Sequence, residues 1–190
     1  MINPFIIDIG KSNKMFKVER PGANMREFYS QSEHLSAYIR NDITVRHQSV
    51  WIAQRNGRTK DGNDHTDQGI ITMFGMSGTG DKVASASELN IVPVSISYEW
   101  ESCDILKVLE FVVSRNEKYV KKPGEDLNSI LTGIRQYKGR VNVSICDPLT
   151  TESLMPLSNL TRNEFNKGLA AMIDRQILGS YQLYPNNYIA

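Results

Sequence analysis

The sequence predicts a single α/β domain in which a mostly parallel central sheet is layered between flanking helices. Two observations carry this prediction. Short apolar segments with strand character alternate along the chain with segments of helical periodicity, and this alternation is typical of parallel sheets with helical crossovers. The 190 residues are 40% hydrophobic and 23% charged, which suits one globular domain over residues 1–190 with its own core.

Net charge and cysteine content argue against a nucleic-acid-binding protein and against a fold held by a metal motif or by disulfides. The net charge of +1 provides no extended field for nucleic acid, so we expect no nucleic-acid partner and only local anion binding. Cys103 and Cys146 lie too far apart for a metal motif and form no disulfide framework, which favours a reducing cytoplasm. No apolar run approaches the roughly 18 residues that a spanning helix needs. Residues 1–14 also lack the features of a secretory signal.

The first quarter of the chain is expected to supply a strand and a helix. Residues 4–10 are as apolar as the interior of a fold, which indicates a chain that begins partway through a domain. Residues 14–20 alternate as a half-buried strand that ends in Arg20. Asn24 is expected to cap a helix over residues 25–41. Its inward face is predicted to contain Phe28, Leu35, Tyr38 and Ile39.

A second strand and a basic loop follow. Residues 50–53 form a short apolar run that predicts a strand buried on both faces. The loop at 54–64 contains three cations and two glycines, and a loop at the carboxyl end of a sheet strand is a usual ligand site in α/β proteins. Gly57 would let backbone N–H groups approach an anion closely. A solvated basic turn is the alternative. The cations expected to face a common anion are Arg55, Arg58 and Lys60.

The rest of the chain continues the alternation of helices and strands. Pro93 has no N–H for a sheet ladder, so it is expected near the start of its strand. In chain order we first predict a helix capped by Asp64 or Thr66 with Ile70, Ile71 and Phe74 inward, a short helix or turn at 84–90, and strands at 91–98 and 106–113. A helix at 125–137 follows, with Leu127, Ile130, Leu131 and Ile134 on one stripe, and then an edge-type strand at 139–146. The last predicted helix opens with a capping box at 161–164 and points Phe165, Leu169, Met172, Ile173 and Ile177 inward.

Three segments, in this order, resemble motifs of the phospholipid and glycerolipid acyltransferase family, of the 1-acylglycerol-3-phosphate acyltransferase type. The strand that ends in Arg20 is similar to the second motif of the family, an apolar strand ending in arginine. The loop QRNGRTKDG at 54–62 is similar to the third motif, which usually reads Phe-Pro-Glu-Gly-Thr-Arg-Ser. The segment IVPV at 91–94 is similar to the fourth motif, a strand with a Val-Pro pair. The resemblance covers residues 16–97.

The resemblance implies a glycerophosphate acyltransferase-like fold and a bacterial-type enzyme that works without a bound cofactor. Such an enzyme moves a fatty acyl group from acyl-CoA or acyl-carrier protein to a glycerophosphate or lysophospholipid acceptor. It would lie in the cytoplasm, with peripheral contact at the inner face of the membrane as a further expectation. Asn56 stands where the family has glutamate, and an amide can bond a hydroxyl but cannot act as a carboxylate. The residues implied to bind the phosphate of the substrate are Arg20, Arg55, Asn56, Gly57, Arg58, Thr59 and Lys60.

The first motif of the family, His-X4-Asp, has no counterpart in this chain. Isoleucine stands five residues after each of the three histidines, His34, His47 and His65. The sequence therefore identifies no catalytic residue, the histidines are interpreted as ordinary polar positions, and the chain alone is expected to show negligible acyl transfer. Two alternatives are a catalytically inactive module of the same fold that binds anionic lipid headgroups, and an unrelated phosphate-handling α/β enzyme.

Overall fold

The computed structural model describes residues 4–16, 24–55, 57, 59 and 62–188. This part of the chain is built mainly from helices and contains a two-stranded antiparallel sheet. Helices α1 to α8 span Pro4–Ser12, Met25–Thr44, Gln68–Met76, Lys82–Ser87, Asp104–Ser114, Glu125–Arg135, Thr151–Leu154 and Arg162–Gly179. Strands β1 and β2 span Val94–Tyr98 and Val141–Ile145. Two 3₁₀ turns lie at Met155–Leu157 and Pro185–Tyr188.

The predicted layered domain with a mostly parallel central sheet is wrong, and so is the glycerophosphate acyltransferase-like fold that the resemblance implied. Strands β1 and β2 pair antiparallel, with Val94 opposite Ile145 and Tyr98 opposite Val141. The predicted strand at 106–113 lies inside helix α5. An apolar run of eight residues is compatible with either a strand or a helix, because its periodicity does not separate the two. The alternation of strands and helices on which the prediction rested is therefore absent from the described residues.

The predicted buried strand at 50–53 is also wrong. These residues have no regular secondary structure. Trp51 is 71% exposed and Ile52 is 37% exposed, so the segment is not enclosed on two faces. A strand needs a neighbour for its backbone groups, and the described residues place no strand beside this segment.

The beginning of the chain also differs from expectation. Residues 4–10, predicted to be interior, lie within helix α1, where Ile7 and Ile9 are 42% and 47% exposed. Residues 14–16 of the predicted strand at 14–20 are not in a strand, and the remainder of that prediction, including Arg20, falls outside the described residues.

Helix α2 confirms the predicted helix and its cap. The Asn24 side chain accepts a hydrogen bond from the backbone N–H of Glu27 at 2.9 Å, which satisfies one of the free donors at the helix start. The inward face is only partly as predicted. Ile39 is buried, whereas Phe28 and Tyr38 are exposed. Ser36 and Arg40 take the remaining buried positions on this helix.

The hydrophobic core gathers around helix α8, which follows its prediction closely. The predicted capping box is present, since the Thr161 hydroxyl accepts from the Glu164 N–H while the Glu164 carboxylate accepts from the Thr161 N–H. Helix α3 packs between α2 and α8, and its cap is Asp67 rather than the predicted Asp64 or Thr66. The buried members of the core are Ile71, Val83, Leu149, Leu154, Phe165, Leu169, Ala170, Ile173 and Ile177.

The helix predicted at 125–137 is confirmed as α6, but its apolar stripe faces outward. Leu127 is 59% exposed and Ile134 is 71% exposed. The inward side instead contains small residues, because Gly133 lies against the buried Cys103 thiol and the Ser129 carbonyl accepts from that thiol at 3.4 Å. None of the helices in the described ranges combines the length and apolar character that crossing a bilayer requires.

The sheet confirms the predicted strands at 91–98 and 139–146 in shortened form. Strand β1 begins directly after Pro93, as expected for a residue without an N–H, and the Pro93 carbonyl accepts from the Cys146 N–H at 2.9 Å. Beyond the other end of the sheet, the Glu99 carboxylate accepts from Arg140 Nε and Nη2, both at 3.1 Å. The Arg140 guanidinium lies 4.4 Å from the Tyr184 ring centroid.

The Glu99–Arg140 ion pair predicts a pH dependence of stability. The hydrogen bonds from Arg140 hold the pKa of the Glu99 carboxyl below its usual value. A group whose pKa is lowered by folding stabilises the protein above its unfolded pKa, and this contribution is lost as the pH falls through the folded pKa. Glu99→Gln should therefore lower the melting temperature at pH 7, and the difference from wild type should shrink towards pH 3.

Thermal unfolding followed by circular dichroism would measure this effect. The exposed Glu117 on a surface segment provides the matched control, and Glu117→Gln should change the melting temperature little at either pH. An equal loss of melting temperature in Glu99→Gln at pH 7 and pH 3 would contradict the role of the carboxylate charge.

Candidate functional site

A largely apolar cavity of about 730 Å³ lies between helices α2, α3 and α8 and the segment that precedes the basic loop. Each helix contributes a side chain that also belongs to the interior, namely Ile39 from α2, Ile71 from α3 and Ile173 from α8. Trp51 and Ile52 form part of its wall, although they lie in no strand. The apolar run at 50–53 thus has an apolar environment on its cavity side.

The predicted basic loop contributes to the wall of this cavity. The described residues between 54 and 64 lie in neither helix nor strand, which confirms the predicted loop, and Gln54, Arg55 and Gly57 line the cavity. Gly57 has a φ of +78°, a backbone conformation that favours glycine. The base of the loop is closed by the Asp67 N–H, which donates to the Gln54 carbonyl at 2.9 Å.

The Arg55 guanidinium already forms an ion pair with a carboxylate of the same loop. Its Nη1 donates to the Asp64 carboxylate at 3.0 Å, and the two side chains are 37% and 21% exposed. The Thr59 hydroxyl accepts from the Gly62 N–H at 3.1 Å, so it shapes the turn. The four other predicted phosphate-binding residues, Arg20, Asn56, Arg58 and Lys60, lie outside the described residues.

Among the described residues, a side-chain donor beside the cavity has no hydrogen-bond partner. The amide nitrogen Nε2 of Gln54 is buried and makes no hydrogen bond with any described residue. A buried donor without an acceptor costs about 1–3 kcal/mol. An oxygen atom of a bound molecule would remove this cost, so Gln54 is a candidate ligand contact that the sequence did not distinguish from its neighbours.

A histidine–carboxylate pair next to the loop was missed by sequence reasoning. His65 Nδ1 lies 3.4 Å from Asp174 Oδ2, and the other oxygen of Asp174 accepts from the N–H and hydroxyl of Thr66 at 2.8 and 2.6 Å. Asp174 lies on α8, 109 positions after His65. No local motif signals such a pair, because only the packing of α8 brings the two residues together.

The described residues contain no group of three or more histidine, cysteine, aspartate or glutamate side chains placed to hold a metal ion. Comparisons with protein-family models, curated proteins and solved structures gave no match to this chain. A function can therefore be inferred only from the cavity, the predicted loop and the sequence motifs.

Proposed function

We propose that this chain forms the acceptor-binding part of an acyltransferase that acts on glycerophosphate-type lipids. The observation that carries the proposal is a cavity lined both by Arg55 and Gly57 of the predicted loop and by the apolar side chains of Ile71 and Ile173. A molecule with an anionic head and an apolar tail satisfies both environments at once. The resemblance of the sequence motifs favours a lysophospholipid as that molecule.

The size of the cavity favours an acceptor that already carries an acyl chain. A volume of about 730 Å³ lies in the roughly 300–1,000 Å³ range of small-molecule sites and exceeds what a bare glycerol phosphate occupies. The buried Nε2 of Gln54 offers a donor to a hydroxyl or ester oxygen of that acceptor. The acyl donor is acyl-CoA or acyl-carrier protein, and we place the reaction in the cytoplasm, at the inner face of the membrane.

A second candidate is a catalytically inactive module that binds anionic lipid headgroups. The missing His-X4-Asp motif in the sequence favours it. Both candidates require binding of an anionic lipid headgroup, and only the first requires a part in acyl transfer. Binding is therefore the property to test first.

Asp64→Asn should strengthen binding of lysophosphatidate by about fivefold. The Asp64 carboxylate pairs with Arg55 and repels a phosphate, and a partly exposed pair of this kind contributes up to about 1 kcal/mol. Isothermal titration calorimetry would measure the affinity, with a monoacylglycerol that lacks the phosphate as the matched ligand. The affinity for that neutral ligand should not change. Equal affinities of Asp64→Asn and wild type for lysophosphatidate would contradict a phosphate role for Arg55.

Arg58→Ala should weaken lysophosphatidate binding by about 1.5–3 kcal/mol, the range for a hydrogen bond to a charged group. Arg58→Lys should recover only part of the loss, because an ammonium cannot form the two parallel bonds of a guanidinium. The same titration applies. If Arg58→Ala binds lysophosphatidate as tightly as wild type, the loop is not the phosphate site and the proposed function loses its main support.

A further inference from the structure

The β1–β2 sheet carries apolar side chains on one face and polar side chains on the other. Directly opposed residues of an antiparallel pair lie on the same face, and successive residues alternate between the two faces. The register of the strands therefore places one apolar set together, which we call the outer sheet face and which consists of Ile96, Tyr98, Val141, Val143 and Ile145. These five residues are between 38% and 77% exposed.

The polar face is the one that packs against the rest of the molecule. Ser95 on this face is fully buried. The Ser144 hydroxyl donates to the Ser180 carbonyl at 3.4 Å, just past the end of α8, and the Ser97 hydroxyl accepts from the Gln182 N–H at 3.0 Å. A sheet with one solvated face normally turns its apolar face to the core. The outer sheet face thus has the composition of an interior surface, yet the described residues leave it open to solvent.

Helices α5 and α6 add exposed apolar surface next to the sheet. The exposed stripe of α6 is described above. Helix α5 has a stripe of the same spacing, between 51% and 78% exposed, made of Ile105, Val108, Leu109 and Val112. Beyond the end of β1, the Trp100 N–H donates to the Lys138 carbonyl at 3.0 Å, and the Cys103 thiol donates to the Ser129 carbonyl on α6. These contacts hold the start of α5 and the end of α6 beside the same end of the sheet.

The exposed apolar area of these three surfaces is large enough for a stable dimer. At roughly 150–200 Å² for a fully exposed residue of this size, the outer sheet face offers about 400–500 Å², and the stripes of α5 and α6 raise the sum above about 1,000 Å². The largest apolar patch on a monomeric protein usually covers about 300–600 Å². A standard protein–protein interface buries about 800 Å² on each partner.

We propose that a second copy of this chain packs against the outer sheet face, with the stripes of α5 and α6 at the border of the interface. The outer sheet face contains no charged side chain, so it has no charge pattern that would select a different protein. An apolar face of this kind is complementary to its own copy across a two-fold axis. Two sheets packed face to face form a sandwich, and Val143, in the middle of β2, then lies near the axis.

A membrane surface is the competing occupant of the outer sheet face. Surfaces that bind anionic lipids are rich in lysine and arginine. Residues 94–146 instead contain acidic and basic residues in nearly equal number, which favours the protein partner. None of the five residues of the outer sheet face lines the cavity, so this inference goes beyond the proposed function and does not depend on it.

Sedimentation velocity of the full chain at micromolar concentration tests the proposal. The wild type should sediment as a dimer, at twice the chain mass of 21.5 kDa. Val143→Lys should raise the dissociation constant of the dimer by about a hundredfold or more, because it places a charge at the centre of the interface. Val45→Lys is the matched control. Val45 is 67% exposed and lies just past the end of α2, so this variant should dimerise as the wild type does.

Disulfide trapping provides a second measurement that does not require Val143→Lys to fold. A residue near a two-fold axis meets its own copy. Val143→Cys should therefore form a covalent dimer under mild oxidation, whereas Val45→Cys and the wild type, with its native Cys103 and Cys146, should not. Circular dichroism of each variant reports whether its fold is retained.

Three results would overturn the proposal. The first is a wild-type chain that stays monomeric throughout the micromolar range. The second is a dimer of equal strength in Val143→Lys and wild type, because association would then use another surface. The third is a monomer that binds phosphatidylcholine–phosphatidylglycerol vesicles and loses this binding in Val143→Lys, which would identify a membrane as the occupant. Lysophosphatidate binding should be equal in Val143→Lys and wild type, and its absence in both would refute only the proposed function.

Discussion

Arg40→Met is expected to lower the free energy of unfolding by about 3 kcal/mol, because it removes several buried hydrogen bonds and an ion pair together. Arg40 is 9% exposed. Its Nη2 donates to the Phe74 carbonyl at 2.9 Å near the end of α3, and its Nη1 donates to the Ser85 carbonyl at 3.1 Å near the end of α4. The guanidinium thus places a positive charge at the carboxyl ends of two helices, where it interacts favourably with their dipoles.

The remaining contacts of Arg40 explain why methionine cannot replace it. Nε donates to the Ser77 hydroxyl at 3.2 Å, and Nη1 also pairs with the Glu88 carboxylate. Methionine keeps most of the length but supplies no donor, so two buried helix carbonyls lose these hydrogen bonds. The Glu88 side chain is 45% exposed and can return to water, which limits the total cost.

Chemical denaturation with urea would measure the loss, and Arg46→Met is the matched control. Arg46 lies just past the end of the same helix, its side chain is 60% exposed, and it pairs with Asp42 at 3.3 Å. An exposed pair at this spacing contributes about 0.5 kcal/mol or less. If Arg40→Met and Arg46→Met destabilise the protein equally, Arg40 does not hold α2, α3 and α4 together as described.

Leu169→Ala should also lower the free energy of unfolding by about 3 kcal/mol, within the usual range for a buried leucine truncated to alanine. Leu169 is 2% exposed and lies in the core cluster, where Phe165 and Ile173 neighbour it on helix α8. Gly168 is tightly packed against Leu157, and a side chain there would collide with it. The residues around Leu169 therefore have little freedom to move into the cavity that its truncation leaves, so we expect the loss of unfolding free energy not to be reduced by relaxation.

Leu178→Ala on the same helix controls for helix propensity, since both substitutions replace leucine by alanine. Leu178 is 37% exposed, so its truncation should cost less than about 1 kcal/mol. Urea denaturation of the two variants would show whether the apolar face of α8 was correctly identified. Equal losses would contradict the core described above.

Local sequence signals predicted several elements of this protein. Asn24 marked the start of α2, the Thr161–Glu164 capping box marked the start of α8, and Pro93 marked the start of β1. These signals succeed because a cap or a missing N–H acts on backbone groups a few residues away. The loop at 54–64 was predicted for the same reason, since glycines and short polar side chains disfavour regular structure locally.

Signals that depend on burial were less informative. The runs at 50–53 and 106–113 were assigned to strands because they are apolar, yet one lies along a cavity without regular structure and the other forms helix α5. The stripe at Leu127 and Ile134 has helical spacing, which correctly predicted α6, but that spacing does not determine whether the stripe faces the core or solvent. Whether the stripe faces the core or solvent is set by the other elements that pack against the helix.

The sequence by itself determined helices α2, α6 and α8, the caps at Asn24 and Thr161, the two shortened strands and the loop at 54–64. Only the tertiary structure decided that the strands pair antiparallel, that Arg55 is held by Asp64, and that His65 meets Asp174. The physical reason is the distance along the chain over which each feature acts. Caps and turns depend on neighbouring residues, whereas strand pairing and the partner of His65 depend on residues brought together only when the core around α8 packs.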